Sequence, residues 1–221
     1  MQYTNRQYPL TQEEKRQREA EREARERAQR LSNNRLGVMV FQISWIMVFV
    51  ALIVVYWQLG FSAGWRPSPD LAPNIIPPIV ATLILLASGF FARQGWKTAE
   101  RTAPIDPDAT TDTAPAFRRP WLIAIGLGVA FFGIMMQQYF ALPFGDAPEM
   151  RFGTIYRLMI GYHALHAVVI LLMMAQVYRL GGDHRYHQDN YWALEGSTQL
   201  WYFVIVAWLM FFVVLYTPFL S

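Results

Sequence analysis

GVMVFQISWIMVFVALIVVYWQLGF, Gly37 to Phe61, decides the fold. It holds no Asp, Glu, Lys or Arg, and as a helix rising about 1.5 Å per residue it is longer than the ~30 Å hydrocarbon core of a bilayer. Four more runs free of those residues follow, so the spacing predicts membrane spans over about 37–61, 75–92, 120–142, 158–178 and 198–219. The second run opens with Pro77 and Pro78, which the first turn of a helix accepts because its amide hydrogens have no partner there. The first run begins behind 36 polar-rich residues and has no small-residue cleavage site, so it is expected to stay in the mature protein rather than act as a signal peptide. The fold class is all-α and integral to the membrane.

The charge count agrees. With 19 Lys and Arg and 16 Asp and Glu, 16% of the 221 residues are charged, against roughly 25% in an average soluble domain. Residues 1–36 carry nine basic and six acidic groups, and this segment alone accounts for the net charge of +3. A soluble enzyme is excluded, and no nucleic-acid partner is expected, since aromatic-interleaved basic patches are missing from the rest. Absence of cysteine excludes disulfides, thiolate metal sites, cysteine nucleophiles and attached c-type haem.

Two domains are expected: a charged tail, 1–36, and a five-span domain, 37–219. In the tail, Thr11 and Glu14 have the spacing of a capping box, and Glu14 with Arg18, Glu21 with Arg25, Glu23 with Arg27 and Glu26 with Arg30 are i,i+4 pairs in the favourable order. A solvated surface helix over about 12–31 follows. Residues 102–116, rich in Pro, Thr and Asp, are expected to be a flexible connector. Of the 19 basic residues, 16 fall in the tail, the 93–119 loop and the 179–197 loop, while Arg66, Arg151 and Arg157 lie on the other side. The positive-inside rule then puts the N-terminus in the cytoplasm and Ser221 outside. Trp57, Trp65, Trp96, Trp121 and Trp192 are expected in interfacial aromatic belts.

Every Lys, Arg, Asp and Glu lies outside the spans, so no proton relay is expected within this chain. The polar groups at depth, Gln42, Ser44, Thr82, Ser88, Gln137, Gln138, Tyr162, His163, His166 and Tyr202, are expected to hydrogen-bond between helices. His163 and His166 share one helix face and no other span has a histidine, so the expectation is hydrogen-bonded packing rather than haem or metal ligation. Gly126, Gly128, Gly133, Gly153 and Gly161 are expected to permit close helix packing.

FGTIYRLMIGYHALHAVVILL, Phe152 to Leu172, resembles the YGSxF…GxHGLHV signature of subunit III of haem-copper oxidases, with His163 and His166 on its histidines. ALEGSTQLWYFVIVAWLMFFVVLY, Ala193 to Tyr216, resembles the family's last-helix signature FExxxWYWHFVDVVWLFLY, with Glu195, Trp201, Phe203 and Trp208 on matching positions. LGVMVFQISWIMVF from Leu36, TLILLASG from Thr82 and LGVAF from Leu127 resemble the family's other helices in order, so the likeness covers about residues 36–217. It departs at Trp45, where the family carries a buried glutamate, at Met135 and Gln138, and at Tyr202 and Ile205.

The resemblance implies helices divided by a V-shaped, lipid-filled cleft and a non-catalytic accessory subunit of a terminal oxidase, here of the shorter five-span form. It implies direct contact with subunit I, association with subunit II and small subunits, and haem and copper held by those partners. No catalytic residue, metal ligand or cofactor is expected in this chain. Bound phospholipids are, and the residues singled out for contact with lipid or a partner subunit are His163, His166, Glu195, Trp201, Trp208, Trp45 and Arg179. The implied location is a bacterial cytoplasmic membrane. Two other readings stay open: the accessory subunit of a quinol oxidase or nitric oxide reductase, and a free-standing membrane protein that binds a lipid or cofactor through His163, His166 and Glu195.

Overall fold

A computed structural model describes residues 11–61, 73–102, 116–141, 151–181 and 192–217. The chain divides into two compact units, Met1–Gly37 and Val38–Ser221. Among the described residues the regular structure is five long helices: α1 (Gln12–Gly60), α2 (Ile76–Thr102), α3 (Arg118–Ala141), α4 (Arg151–Leu180) and α5 (Trp192–Tyr216). Each is long and apolar enough to cross a membrane.

The start of α1 is built as its sequence demands. Thr11 caps it: the amide of Glu14 donates to the Thr11 hydroxyl at 3.3 Å, and the amide of Thr11 donates to the Glu14 carboxylate at 2.8 Å. Glu21 with Arg25 and Glu23 with Arg27 form ion pairs at 3.8 and 3.2 Å. The helix does not stop near residue 31, as expected, but runs through Asn33, Asn34 and Gly37 into the apolar run. Asn and Gly cost a helix only about 0.7–1 kcal/mol each, and no proline interrupts the stretch.

In α2, the Asn74 side chain accepts from the amide of Ile76 at 3.0 Å, and Pro77 and Pro78 occupy the first turn. The helix outlasts its apolar run by some ten residues because the segment from Arg93 to Arg101 contains good helix formers and an i,i+3 pair, Lys97 with Glu100 at 2.7 Å. Likewise α4 starts at Arg151 and α5 at Trp192, ahead of the apolar runs, so Glu195 lies in the first turn of a helix rather than in a loop. The connector expected at 102–116 lies largely outside the described residues, as does Trp65.

In the second unit, α2 packs most closely on α3, α3 on α4, α4 on α5 and α5 back on α2, which makes a closed ring of four helices. The close approach is sharpest at Gly128 of α3, where an added Cβ would come within 2.6 Å of Leu171 in α4 and 3.0 Å of the Trp201 ring in α5. Gly89 of α2 similarly admits the Ile205 side chain of α5. Gly126 and Gly133 face open space, contrary to expectation, since they fall on the outer side of α3. Trp121, expected at the membrane surface, is fully buried between helices.

The capping pair gives a pH-dependent prediction. The Thr11 amide and hydroxyl bonded to the Glu14 carboxylate hold it below the ordinary carboxylate range. A depressed folded pKa means the contribution is present above the unfolded value and is lost as pH falls through the folded one. Acidification through that window should therefore loosen the first turn. In a Thr11→Ala variant, which costs the helix start about 0.5–2 kcal/mol, the carboxyl titration of Glu14 followed by carbon NMR should move upward. An unmoved midpoint would refute the hydroxyl's share of the capping interaction, since the Thr11 amide bond survives the substitution.

Candidate functional site

Interior polar groups of the ring are joined across helices. The indole Nε1 of Trp201 donates to Ser88 Oγ at 2.9 Å, and Ser88 donates to the Ala124 carbonyl at 2.7 Å, linking α5, α2 and α3. Seven residues further along α5, Trp208 Nε1 donates to Thr82 Oγ1 at 2.8 Å, and Thr82 donates to the carbonyl of Pro78 at 2.7 Å. Trp121 Nε1 donates to the Met174 carbonyl at 3.0 Å, tying α3 to α4. A third group joins α3, α4 and α5: Tyr156 donates to Gln138 Oε1 at 3.2 Å while its oxygen lies 2.6 Å from the Tyr216 hydroxyl. Gln42 of α1 reaches the Gln199 carbonyl of α5 at 3.1 Å. Gln42, Thr82, Ser88 and Gln138 thus do what polar groups at membrane depth are expected to do, whereas Ser44 bonds the Val40 carbonyl of its own helix.

The two histidines behave otherwise. Both have 0% exposure, and among the described residues none of their four ring nitrogens has a hydrogen-bond partner, which corrects the expectation of hydrogen-bonded packing. They sit in a box of rings. His163 stacks on Trp208 with centroids 5.6 Å apart and meets the edges of Phe49, Phe131 and Phe211. His166 lies 4.0 Å from the Trp45 centroid and crosses Phe203 at 90° and 5.1 Å. Phe49, itself 2% exposed, touches both imidazoles as well as Tyr162, Phe203 and Phe211. Such edge and tilted contacts set electropositive ring edges against π faces, worth about 0.5–1.5 kcal/mol per pair beyond the area buried.

The structure therefore brings His163, His166, Trp45 and Trp208 together. Trp201 belongs to the Ser88 link instead. Glu195, thirteen residues ahead of Trp208 and so about 20 Å away along α5, is buried and accepts from Gln199 Nε2 at 3.3 Å. Arg179 is exposed in the last turn of α4. Among the described residues no group of three or more His, Cys, Asp or Glu could hold a metal ion. Phe49, Phe131 and Phe211 were not singled out by the sequence, because a phenylalanine in a span faces lipid or protein with equal ease; Phe49 betrays itself only as one turn beyond Trp45 on the same face.

Comparison with known proteins extends this picture. Residues 17–218 match the family described as cytochrome c oxidase subunit III. Among curated relatives, the chain is 27% identical over 183 residues to cytochrome c oxidase subunit 3 of Thermostichus vulcanus, covering 82% of this chain and 85% of that one. It is 26% identical over 185 residues to a probable cytochrome c oxidase subunit 3 of Mycobacterium leprae, covering 82% and 86%, and 26% identical over 204 residues to cytochrome c oxidase subunit 3 of Branchiostoma lanceolatum, covering 84% and 70%. The family match begins well inside the charged part of α1, further upstream than the motifs from Leu36 onward.

Removing Ser88 Oγ should strand a buried indole N–H. Ser88→Ala is expected to cost about 1–3 kcal/mol, whereas adding Trp201→Phe, which deletes the orphaned donor, should cost less than the sum of the two single changes. Thermal unfolding of the four proteins in mild detergent measures this; strict additivity would show that the bond contributes nothing.

Proposed function

The chain belongs to the cytochrome c oxidase subunit III family and is a multi-pass membrane protein, and from that membership we propose that it is a non-catalytic accessory subunit of a terminal haem-copper oxidase. It contacts subunit I, stabilises that subunit and its proton-uptake surface, and assembles with subunit II and small subunits, the haem and copper lying in the partner subunits. The observation that carries this reading is the family match over residues 17–218, which takes in α2 to α5 and all but the first turn or so of α1.

The interior chemistry supports it. The ring is held by neutral bonds between Trp, Ser, Thr, Tyr and Gln, and its two buried imidazoles are packed against aromatic rings. At Trp45 the indole covers His166, a place where the resemblance implies a glutamate. Such a bundle supplies shape and surface to a partner; it offers no relay of its own. Of the residues singled out for outward contact, Arg179 and the half-buried Trp45 are the ones with surface to give, and they, with bound phospholipid, are proposed to meet lipid or the partner. The orientation proposed is N-terminus in the cytoplasm, in a bacterial cytoplasmic membrane, with phospholipid filling a cleft between helix groups in the assembled enzyme.

Affinity purification of the chain in mild detergent should bring down haem-bearing partners with an oxidase spectrum, while the chain separated from them should show no Soret band. Recovery as a haem-free monomer under conditions that keep other respiratory complexes intact would overturn the reading. The orientation is checked separately: in a protein without cysteine, Thr110→Cys should resist a membrane-impermeant thiol reagent added to intact cells. Labelling from outside would reverse the topology.

A further inference from the structure

Residues 12–31 are all Ala, Leu, Arg, Lys, Gln or Glu, the side chains that favour a helix most. Thr11 caps them, the Glu21–Arg25 and Glu23–Arg27 pairs cross them, and each one up to Arg30 is exposed. Their apolar members are Ala20, Ala24, Ala28 and Leu31, too little surface to hold the segment against another element. Its order comes instead from propensity, the cap and the pairs. It also continues a helix that the bilayer already enforces, so the cost of nucleating a first turn does not arise.

At Ser32 the composition changes. Of the six residues 32–37, Ser32, Asn33, Asn34 and Gly37 are poor helix formers: Ser and Asn side chains compete for neighbouring backbone groups, and Gly leaves its backbone the most freedom. Packing does not explain Gly37, because an added Cβ would meet nothing within 4 Å. Ser32, Asn33, Leu36 and Gly37 are exposed. The boundary between the two compact units falls at the same place, directly after Gly37. Conditions differ from Val38 onward. Val38 lies against Gly196, Gln42 bonds the Gln199 carbonyl, and hydrocarbon offers the backbone amides no partner outside the helix. Residues 32–37 are the stretch just outside the apolar run, where water can take over a backbone hydrogen bond and bend the helix.

We propose that 32–37 is a hinge, and that 12–31 is a stiff charged arm that swings on it. The arm is ~29 Å long at the usual helical rise. Motion is confined to the hinge: the arm keeps its helix, the span keeps its ring contacts with α4, and a few backbone angles between them change. The hinge is helical in this structure, and it is the part of α1 whose backbone bonds open first. This goes beyond the accessory role above and holds whichever enzyme the chain serves.

Because the chain has no cysteine, pairs of spin labels can be placed in the complex purified in mild detergent and their separation read by pulsed electron paramagnetic resonance. The complex without introduced cysteines supplies the background from partner subunits. Gln12→Cys with Gln29→Cys, both in the arm, should give one narrow separation of ~26 Å. Gln12→Cys with Met47→Cys, one on each side of the hinge, should give a distribution about twice as broad or more, extending below the ~53 Å of an uninterrupted helix. Adding Asn33→Ala and Gly37→Ala, both at exposed positions, should narrow the second distribution around that length and leave the first unchanged. Equal widths for the two pairs, or no narrowing in the alanine variant, would overturn the hinge. A broad separation within the arm would overturn its stiffness.

Discussion

An indole N–H taken into a membrane bundle has to find an acceptor within the protein, because no water lies beside it and lipid tails offer none. Trp201 and Trp208 meet that requirement on Ser88 and Thr82, and in doing so they fasten the last helix to the second. Burial of apolar surface gives little preference for helix over lipid, so association rests on close packing and on such bonds. The packing is placed to suit: Gly128 makes the hollow into which the Trp201 ring fits, which brings its nitrogen to Ser88. A larger residue at 128 would displace the ring and the bond together.

Apart from the Gln42 bond to the Gln199 carbonyl, the contact of α1 with the ring has a different character. Phe49, Trp45 and Tyr56 reach α4 and α5 with long planar side chains, and Val38 settles against Gly196. Ring contacts tolerate small rotations that hydrogen bonds do not. The imidazoles of His163 and His166 belong to this seam, where their flat shape matters more than their nitrogens. Trp45 is suited to such a surface because the indole offers a broad π face to His166 while remaining half-exposed on its other side.

Apolar runs announce five helices without ambiguity, since a run of that length with no charge has few other homes. Helix ends were less legible: α2 continues to Thr102, and α1 does not break before the membrane, because the run marks the bilayer and not the helix. Ser88 and Thr82 could be named as interhelical bonds, but their partners could not, as a hydroxyl at depth does not say which helix faces it. Trp121 shows the converse error. An indole near the end of a span can serve an interface or a core, and only the nearby Met174 carbonyl decides. The histidine spacing gave one shared face correctly and the wrong chemistry for that face, since the rings around it come from three other helices.

The link between Trp208 and Thr82 spans 126 residues of chain, and that between Trp201 and Ser88 spans 113. At a synthesis rate of about 5–20 residues per second, Thr82 waits roughly 6–25 s for its donor to emerge. Over that interval the rest of α2, then α3 and α4, are made without the helix that closes the ring. The ring is thus a clasp shut by α5, and the nascent chain can reach this arrangement only after that helix has been made.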